Sequence, residues 1–272
     1  MSHNLLKGKK GIIFGALNES SIAWKVAEKA HEEGAEFILT NAPVALRMGQ
    51  LDELAKATDS EVVSADVTSM EDLENLFDVA EKKYGKIDFI LHSIGMSINV
   101  RKGNHYTESN YDYYHKALDI SAISFHRIMK IAKRKDIMNE LGSILGLSFI
   151  AAQMAIPGYN DMSDAKSVLE SIARTFGYYY GTEKKVRINT ISQSPTKTTA
   201  GGGISGFNSL YNFAEANSAL GNAPAEDCAN YCITLFSDLT RYVTMQNLFH
   251  DGGFSTTGVT TEVMKYFEGE QS

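Results

Sequence analysis

Lys10-Gly11-Ile12-Ile13-Phe14-Gly15-Ala16-Leu17-Asn18-Glu19-Ser20-Ser21-Ile22-Ala23 begins apolar, turns on a glycine and small polar residues, and then starts a helix. Lys10 to Ala16 reads as a buried strand. Ser21 to Gly34 reads as a helix, with Ile22, Ala23, Val26, Ala27 and Ala30 at helical spacing and Gly34 as its stop. The N–H groups of the turn and the positive end of the helix dipole suit a pyrophosphate. The turn lacks the G-x-G-x-x-G fingerprint, so alone it is equally an ordinary strand–helix connection.

The same alternation continues outward. Further strands are expected at Glu36–Thr40, Glu61–Ala65, Ile87–His92, Ser143–Leu147, Arg187–Ile191 and Asn247–His250. Helices are expected at Leu46–Thr58, Ser69–Tyr84, Glu108–Arg134 in one or two pieces, Asp161–Gly181 and Asp227–Phe236. Ser69-x-x-Asp72 resembles a capping box with Asp in place of Glu. Strand–helix alternation implies parallel strands joined by right-handed crossovers. The expected fold is α/β, a Rossmann-like doubly wound parallel sheet of about seven strands with helices on both faces. No repeat or boundary divides the chain, so residues 1–272 read as a single domain.

Bulk properties narrow the class. A formal charge of −7 argues against a nucleic-acid binder, which carries a basic face. No apolar run reaches the roughly 18–20 residues that span a membrane, and the N-terminus has no apolar signal core, so a cytoplasmic protein is expected. Cys228 and Cys232 share one helix face, lack nearby His or Cys ligands, and read as packing residues. No metal site is expected.

In doubly wound sheets, ligands sit beyond the carboxyl ends of the strands at the topological switch point. Small and polar residues follow several strands here. Gly15, Ser21 and Ile22 lie at the first turn. Asp66-Val67 follows the third strand, where the carboxylate could accept from an adenine amino group. His92-Ser93-Ile94-Gly95 follows the fourth, where backbone could approach a ribose. Pro195 and Thr198 follow the sixth and could border a nicotinamide and a phosphate. Together these ends read as a dinucleotide site. Asn41-Ala42-Pro43 after the second strand has no acid for a ribose hydroxyl, which leaves NADPH open. The absence of a basic pair there favours NADH.

With Tyr159-Asn160-Asp161-Met162-Ser163-Asp164-Ala165-Lys166, the chain resembles the enoyl-acyl-carrier-protein reductases, divergent members of the short-chain dehydrogenase/reductase family. Ordinary members place Tyr and Lys four apart; the enoyl reductases, like this chain, place them seven apart. Gly15 with Ser21-Ile22-Ala23, Asp66-Val67, His92-Ser93-Ile94-Gly95, Ala155-Ile156-Pro157-Gly158 and His250-Asp251-Gly252-Gly253-Phe254 extend the resemblance over the chain. Seven residues are about two helical turns, which would set Tyr159 and Lys166 on one face.

The resemblance implies hydride transfer from NADH to the β-carbon of an enoyl thioester on acyl carrier protein, in fatty-acid elongation. It makes Tyr159 the donor to the thioester carbonyl and Lys166 the ligand of the nicotinamide ribose. It also implies a homotetramer and a mobile lid around residues 198–220. Met96, Phe149, Tyr159, Met162, Ala200, Ile204 and Phe207 are the expected substrate contacts. Two features depart from the family. Phe149 stands where a second Tyr is usual and cannot donate; neighbouring Ser148 is the expected substitute donor, or else it simply ends the strand. The lid, Ala200-Gly201-Gly202-Gly203-Ile204-Ser205-Gly206-Phe207, is rich in flexible glycine and lacks the family's basic residues. Carrier docking would then fall to Lys197, Arg101 or Lys102. A ketone-reducing short-chain dehydrogenase and a non-catalytic nucleotide sensor are the alternatives.

Overall fold

The computed structural model describes residues 2–202 and 206–268. Seven strands, β1 (Lys10–Phe14), β2 (Glu36–Asn41), β3 (Glu61–Ser64), β4 (Ile87–His92), β5 (Met138–Ser148), β6 (Arg187–Gln193) and β7 (Asn247–His250), form one sheet. Their order is β3-β2-β1-β4-β5-β6-β7 and every pairing is parallel. The chain works outward from β1 to β3, crosses back, and continues from β4. The switch point therefore lies between the ends of β1 and β4, as expected for this fold.

Helices α1 (Ile22–Glu32), α2 (Pro43–Met48), α3 (Leu51–Ala57) and α4 (Met70–Tyr84) serve the first half. Then come α5 (Ile98–Lys102), α6 (Tyr111–Leu118), α7 (Ser124–Arg134), α8 (Asp161–Lys184), α9 (Thr199–Gly202), α10 (Phe207–Asn217), α11 (Ala225–Phe236) and α12 (Thr261–Glu268). Alternate strand residues feed two cores. Ile12 and Phe14 of β1 pack with Phe77 of α4, Phe125 of α7 and Leu169 of α8. Ile13 lies between them in sequence and packs on the other face with Trp24 of α1 and Phe236 of α11. That alternation is the period of two of a strand buried on both faces. Cys228 and Cys232 are buried in the second core.

Several element boundaries differ from the sequence reading. The helix expected over 46–58 is two helices broken at Gly49, where an added Cβ would meet the Leu17 carbonyl oxygen at 2.7 Å. Gln50 N donates to the same oxygen at 3.0 Å, so the break braces the first turn. The segment 108–134 holds two helical pieces, as the sequence allowed, starting at Tyr111 and joined by a π-helical turn, Asp119–Ile123. The first strand stops at Phe14 rather than Ala16, because Gly15 turns with φ +98°. The Ser69 cap holds as expected, its hydroxyl accepting from Asp72 N at 3.1 Å.

Candidate active site

The first turn is built so that the ends of β1 and β4 nearly touch. A Cβ on Gly15 would lie 2.0 Å from the Ser93 carbonyl oxygen. Ser21 shapes the turn that follows: its hydroxyl accepts from the N–H groups of Leu17 and Asn18 at 3.1 and 3.0 Å and donates to Asn18 O at 2.7 Å. Ile22 opens α1. Beyond β3, Asp66 is fixed from two sides. Its N–H donates to Asp72 Oδ2 at 2.9 Å, and its Oδ1 accepts from the N–H and hydroxyl of Thr68 at 2.8 and 2.7 Å. Val67 beside it is buried. Across the cleft, Thr198 Oγ1 accepts from Gly201 N at 3.0 Å and caps the start of α9. Thr199 reaches back to the first turn: its hydroxyl accepts from Asn18 Nδ2 at 2.8 Å and lies 3.2 Å from Ser20 Oγ.

The other end of the cleft lies beyond β4 and β5. Tyr159 precedes α8 rather than lying on it. Asn160, at φ +48°, is the cap, and its Oδ1 accepts from Asp161 N at 2.7 Å. Two helical turns therefore do not account for the Tyr–Lys relation, because the backbone reverses its hand between them. A polar cluster sets Tyr159 instead. The fully buried Asp161 carboxylate accepts from Ser97 Oγ at 2.5 Å and Asn99 Nδ2 at 2.8 Å, while Asn160 Nδ2 donates to Asn104 O at 2.7 Å. These bonds fasten the start of α8 to the segment after β4.

Tyr159, Phe149 and Met162 meet in one apolar cluster with Ala165, Ala214 of α10 and Phe254. Met96 is joined to it through Ser121 of the π-helical turn. The Ser121 hydroxyl accepts from Met96 N at 3.0 Å and lies 3.6 Å from the Met162 sulfur. Lys166 is buried and its Nζ donates to Leu147 O at 2.7 Å. Gly95 lies where both parts meet: an added Cβ would be 3.2 Å from Met162 Cε and 3.8 Å from Lys166 Nζ. Ile94, next to it, packs against the core shared by α4, α7 and α8. Phe207 lies apart from this cluster, over Gly201 and 6.0 Å from the Tyr211 ring. Ala200 falls in α9, and Ile204 lies outside the described residues.

Ser148 is not a free donor. Its single hydroxyl proton goes to Glu170 Oε1 at 2.6 Å, so it does not substitute for the missing Tyr hydroxyl; Ser148 instead ends β5, the other reading of that position.

Burial dominates the electrostatics. It raises the Tyr159 phenol above its ordinary value and so keeps it protonated. It pushes the Lys166 ammonium down to about 8, against the opposing charge of Glu170. His92, at the end of β4, is pushed down to about 3 by burial and then by Lys166. The Ser124 hydroxyl donates to Ile120 O at 2.7 Å, so His92 Nε2, 2.8 Å from that hydroxyl, is the protonated nitrogen of a neutral ring.

Ser121, Thr199, Asn18, Glu170 and the Asp161–Asn99 pair were not among the expected site residues. Each is an ordinary polar residue in the sequence and gains its place through long-range contacts. Phe254 carried a signal, since it ends the Gly252-Gly253-Phe254 motif already noted.

A family model described as "Enoyl-(Acyl carrier protein) reductase" matches residues 15–255. Enoyl-[acyl-carrier-protein] reductase [NADH] 1 of Rhizobium meliloti is 35% identical, over 94% of this chain and 93% of that protein. The FabI protein of Bacillus subtilis, an NADH enoyl-[acyl-carrier-protein] reductase, is 32% identical over 93% of this chain and 98% of its own. The crystal structure of a FabI–NADH complex from Alistipes finegoldii superposes with a TM-score of 0.95 at 64% identity, covering 97% of this chain and 93% of that one. Sheet order, tyrosine–lysine spacing and relatives all give one answer: the chain belongs to the enoyl-(acyl carrier protein) reductase family.

Proposed function

We propose that this chain reduces the trans-2 double bond of enoyl thioesters on acyl carrier protein, using NADH, in fatty-acid elongation. The observation that carries the reading is that buried Tyr159 shares an apolar cluster with Met162, while Met162 and buried Lys166 both lie beside Gly95 in the turn that follows β4. Residues 1–272 act as one reductase domain, with a lid over residues 198–220 whose first helix is tied to the phosphate turn through Thr199. The enzyme works in the cytoplasm as a homotetramer. Among the described residues no helix is long and apolar enough to cross a membrane.

The residues fit a dinucleotide. Gly95 is exposed and without a side chain, so Lys166 stays approachable from the cleft. Gly15, Ser21 and Ile22 would hold the pyrophosphate end, Asp66 and Val67 the adenine, Ser93, Ile94, Gly95 and Lys166 the nicotinamide ribose, and Thr198 a phosphate. When bound, reduced nicotinamide supplies the hydride for the β-carbon.

Tyr159 donates a hydrogen bond to the thioester carbonyl oxygen, where negative charge grows as the double bond is reduced. Its burial keeps the proton on the phenol. A donor aimed at the developing enolate favours the transition state over the ground state, and removing one costs ~3 kcal/mol. The Lys166 ammonium holds ribose hydroxyls and adds positive potential beside the enolate. Met96, Phe149 and Met162, gathered around Tyr159, wall the acyl chain and keep water from the reacting carbons.

The test is initial rate with NADH or NADPH on crotonyl and acetoacetyl thioesters. Oxidation of NADH by the crotonyl compound is expected. Consumption of the acetoacetyl compound alone would make the chain a ketone reductase. Tight NADH binding without turnover on either thioester would make it a nucleotide sensor.

A further inference from the structure

Lys166 and Glu170 lie one turn apart on α8 and grip successive residues of β5. Lys166 Nζ donates to Leu147 O at 2.7 Å, and Ser148 Oγ donates to Glu170 Oε1 at 2.6 Å. The second Glu170 oxygen accepts from Gln153 Nε2 at 2.9 Å. Ser148 and Gln153 are the two ends of the bend that contains Phe149, and Phe149 packs on Tyr159. Glu170 is only 3% exposed, and its two side-chain donors are neutral. A carboxylate this deep is costly without a cation, and an ammonium as deep as Lys166 is costly without an anion.

We propose that Glu170 is a positioning residue for the reduction: its carboxylate keeps Lys166 in the ammonium form and fixes the bend that carries Phe149. This rests on the role given to Lys166 above. An uncharged amine would neither raise the potential at the carbonyl oxygen nor donate all three protons to ribose and backbone.

The other titratable groups facing Lys166 do not replace Glu170. His92 at the end of β4 is neutral through the working range, and Tyr159 stays protonated. Residues 147–153 of β5 and the bend contain no titratable side chain. Asp119 of the π-helical turn is engaged with Arg127 at 2.6 Å. Burial pulls Lys166 toward the amine, and the charge opposing that pull is Glu170.

The experiment is kcat/KM against pH, from 6 to 10, with NADH and a crotonyl thioester. This ratio reports ionisations of the free enzyme. The wild type is expected to lose activity as Lys166 deprotonates near pH 8. Glu170→Gln is expected to move that alkaline limb down by about one pH unit, so that activity at pH 8 falls several-fold more than at pH 6. Glu170→Asp, with its charge drawn back by one methylene, is expected to lie between the two. A uniform loss at every pH with an unmoved limb would overturn the proposal and leave Glu170 a packing residue. Should Glu170→Gln not fold, the Asp variant carries the same test, and an unmoved limb overturns the proposal there too. Lys166→Met separates the two claims. A limb that survives in this variant does not belong to Lys166, which overturns the reading of Lys166 and the proposal with it.

Discussion

The ring of Phe149 lies 4.8 Å from the ring of Tyr159, centroid to centroid, at an interplanar angle of 50°. Both rings are buried, so Phe149 braces the phenol by shape alone. Tilted aromatic pairs of this kind contribute about 1 kcal/mol beyond the area they bury. Phe149→Ala is therefore expected to cost roughly 3–5 kcal/mol in urea unfolding and to lower kcat/KM at least tenfold, as Tyr159 loses its wall. Phe149→Leu, which fills most of the volume, is expected to retain most activity. Equal losses in the two variants would contradict a packing role.

Gly15 tests the cleft. Alanine there meets both a positive φ and a backbone oxygen 2.0 Å away, and that oxygen belongs to Ser93, whose N–H is paired with Phe14 O. Gly15→Ala is expected to destabilise by more than ~3 kcal/mol and to abolish NADH binding measured by nicotinamide fluorescence. Gly8→Ala is the control. It has a similar φ of +76° and nothing within 4 Å, so strain alone should cost about 1–2 kcal/mol.

His92 makes stability depend on pH in a known direction. Its folded value is near 3 against an ordinary 6.5, so between these values the unfolded chain binds a proton that the folded chain refuses. Stability is then fully present above about pH 6.5 and is lost as pH falls, by ~1.4 kcal/mol per unit from this group. His92→Gln, which keeps a donor toward Ser124, is expected to flatten the acid side of a urea-midpoint profile between pH 4.5 and 6.5. Parallel profiles for wild type and variant would contradict this.

The sheet was legible because most strands carry a short apolar run and most connections carry helical spacing. The switch point followed from that order, and Gly15, Ser93 and Gly95 with it. What stayed hidden depends on contacts far apart in the chain. Gly49 breaks a helix because Leu17 O occupies its side-chain space, which no local pattern records. The glycines before Phe207 suggested a loose segment and masked a helix whose spacing, Phe207, Leu210, Tyr211 and Ala214, was present in the sequence. Tyr159 and Lys166 were singled out by their separation, but the physical reason offered for it was incorrect. Asn160 turns the backbone between them, and a buried cluster of Asp161, Ser97 and Asn99 holds the turn. Polar residues that pair only on folding look like surface residues until the fold is known.

The central claim is that one phenol and one ammonium act together on the substrate carbonyl and the cofactor ribose. It is tested most directly by steady-state rates of NADH oxidation with a crotonyl thioester of acyl carrier protein for wild type, Tyr159→Phe and Lys166→Ala. Tyr159→Phe is expected to lower kcat by about 10²–10³ with NADH affinity kept. Lys166→Ala is expected to weaken NADH binding at least tenfold. Wild-type kcat in Tyr159→Phe together with wild-type NADH affinity in Lys166→Ala would contradict the account.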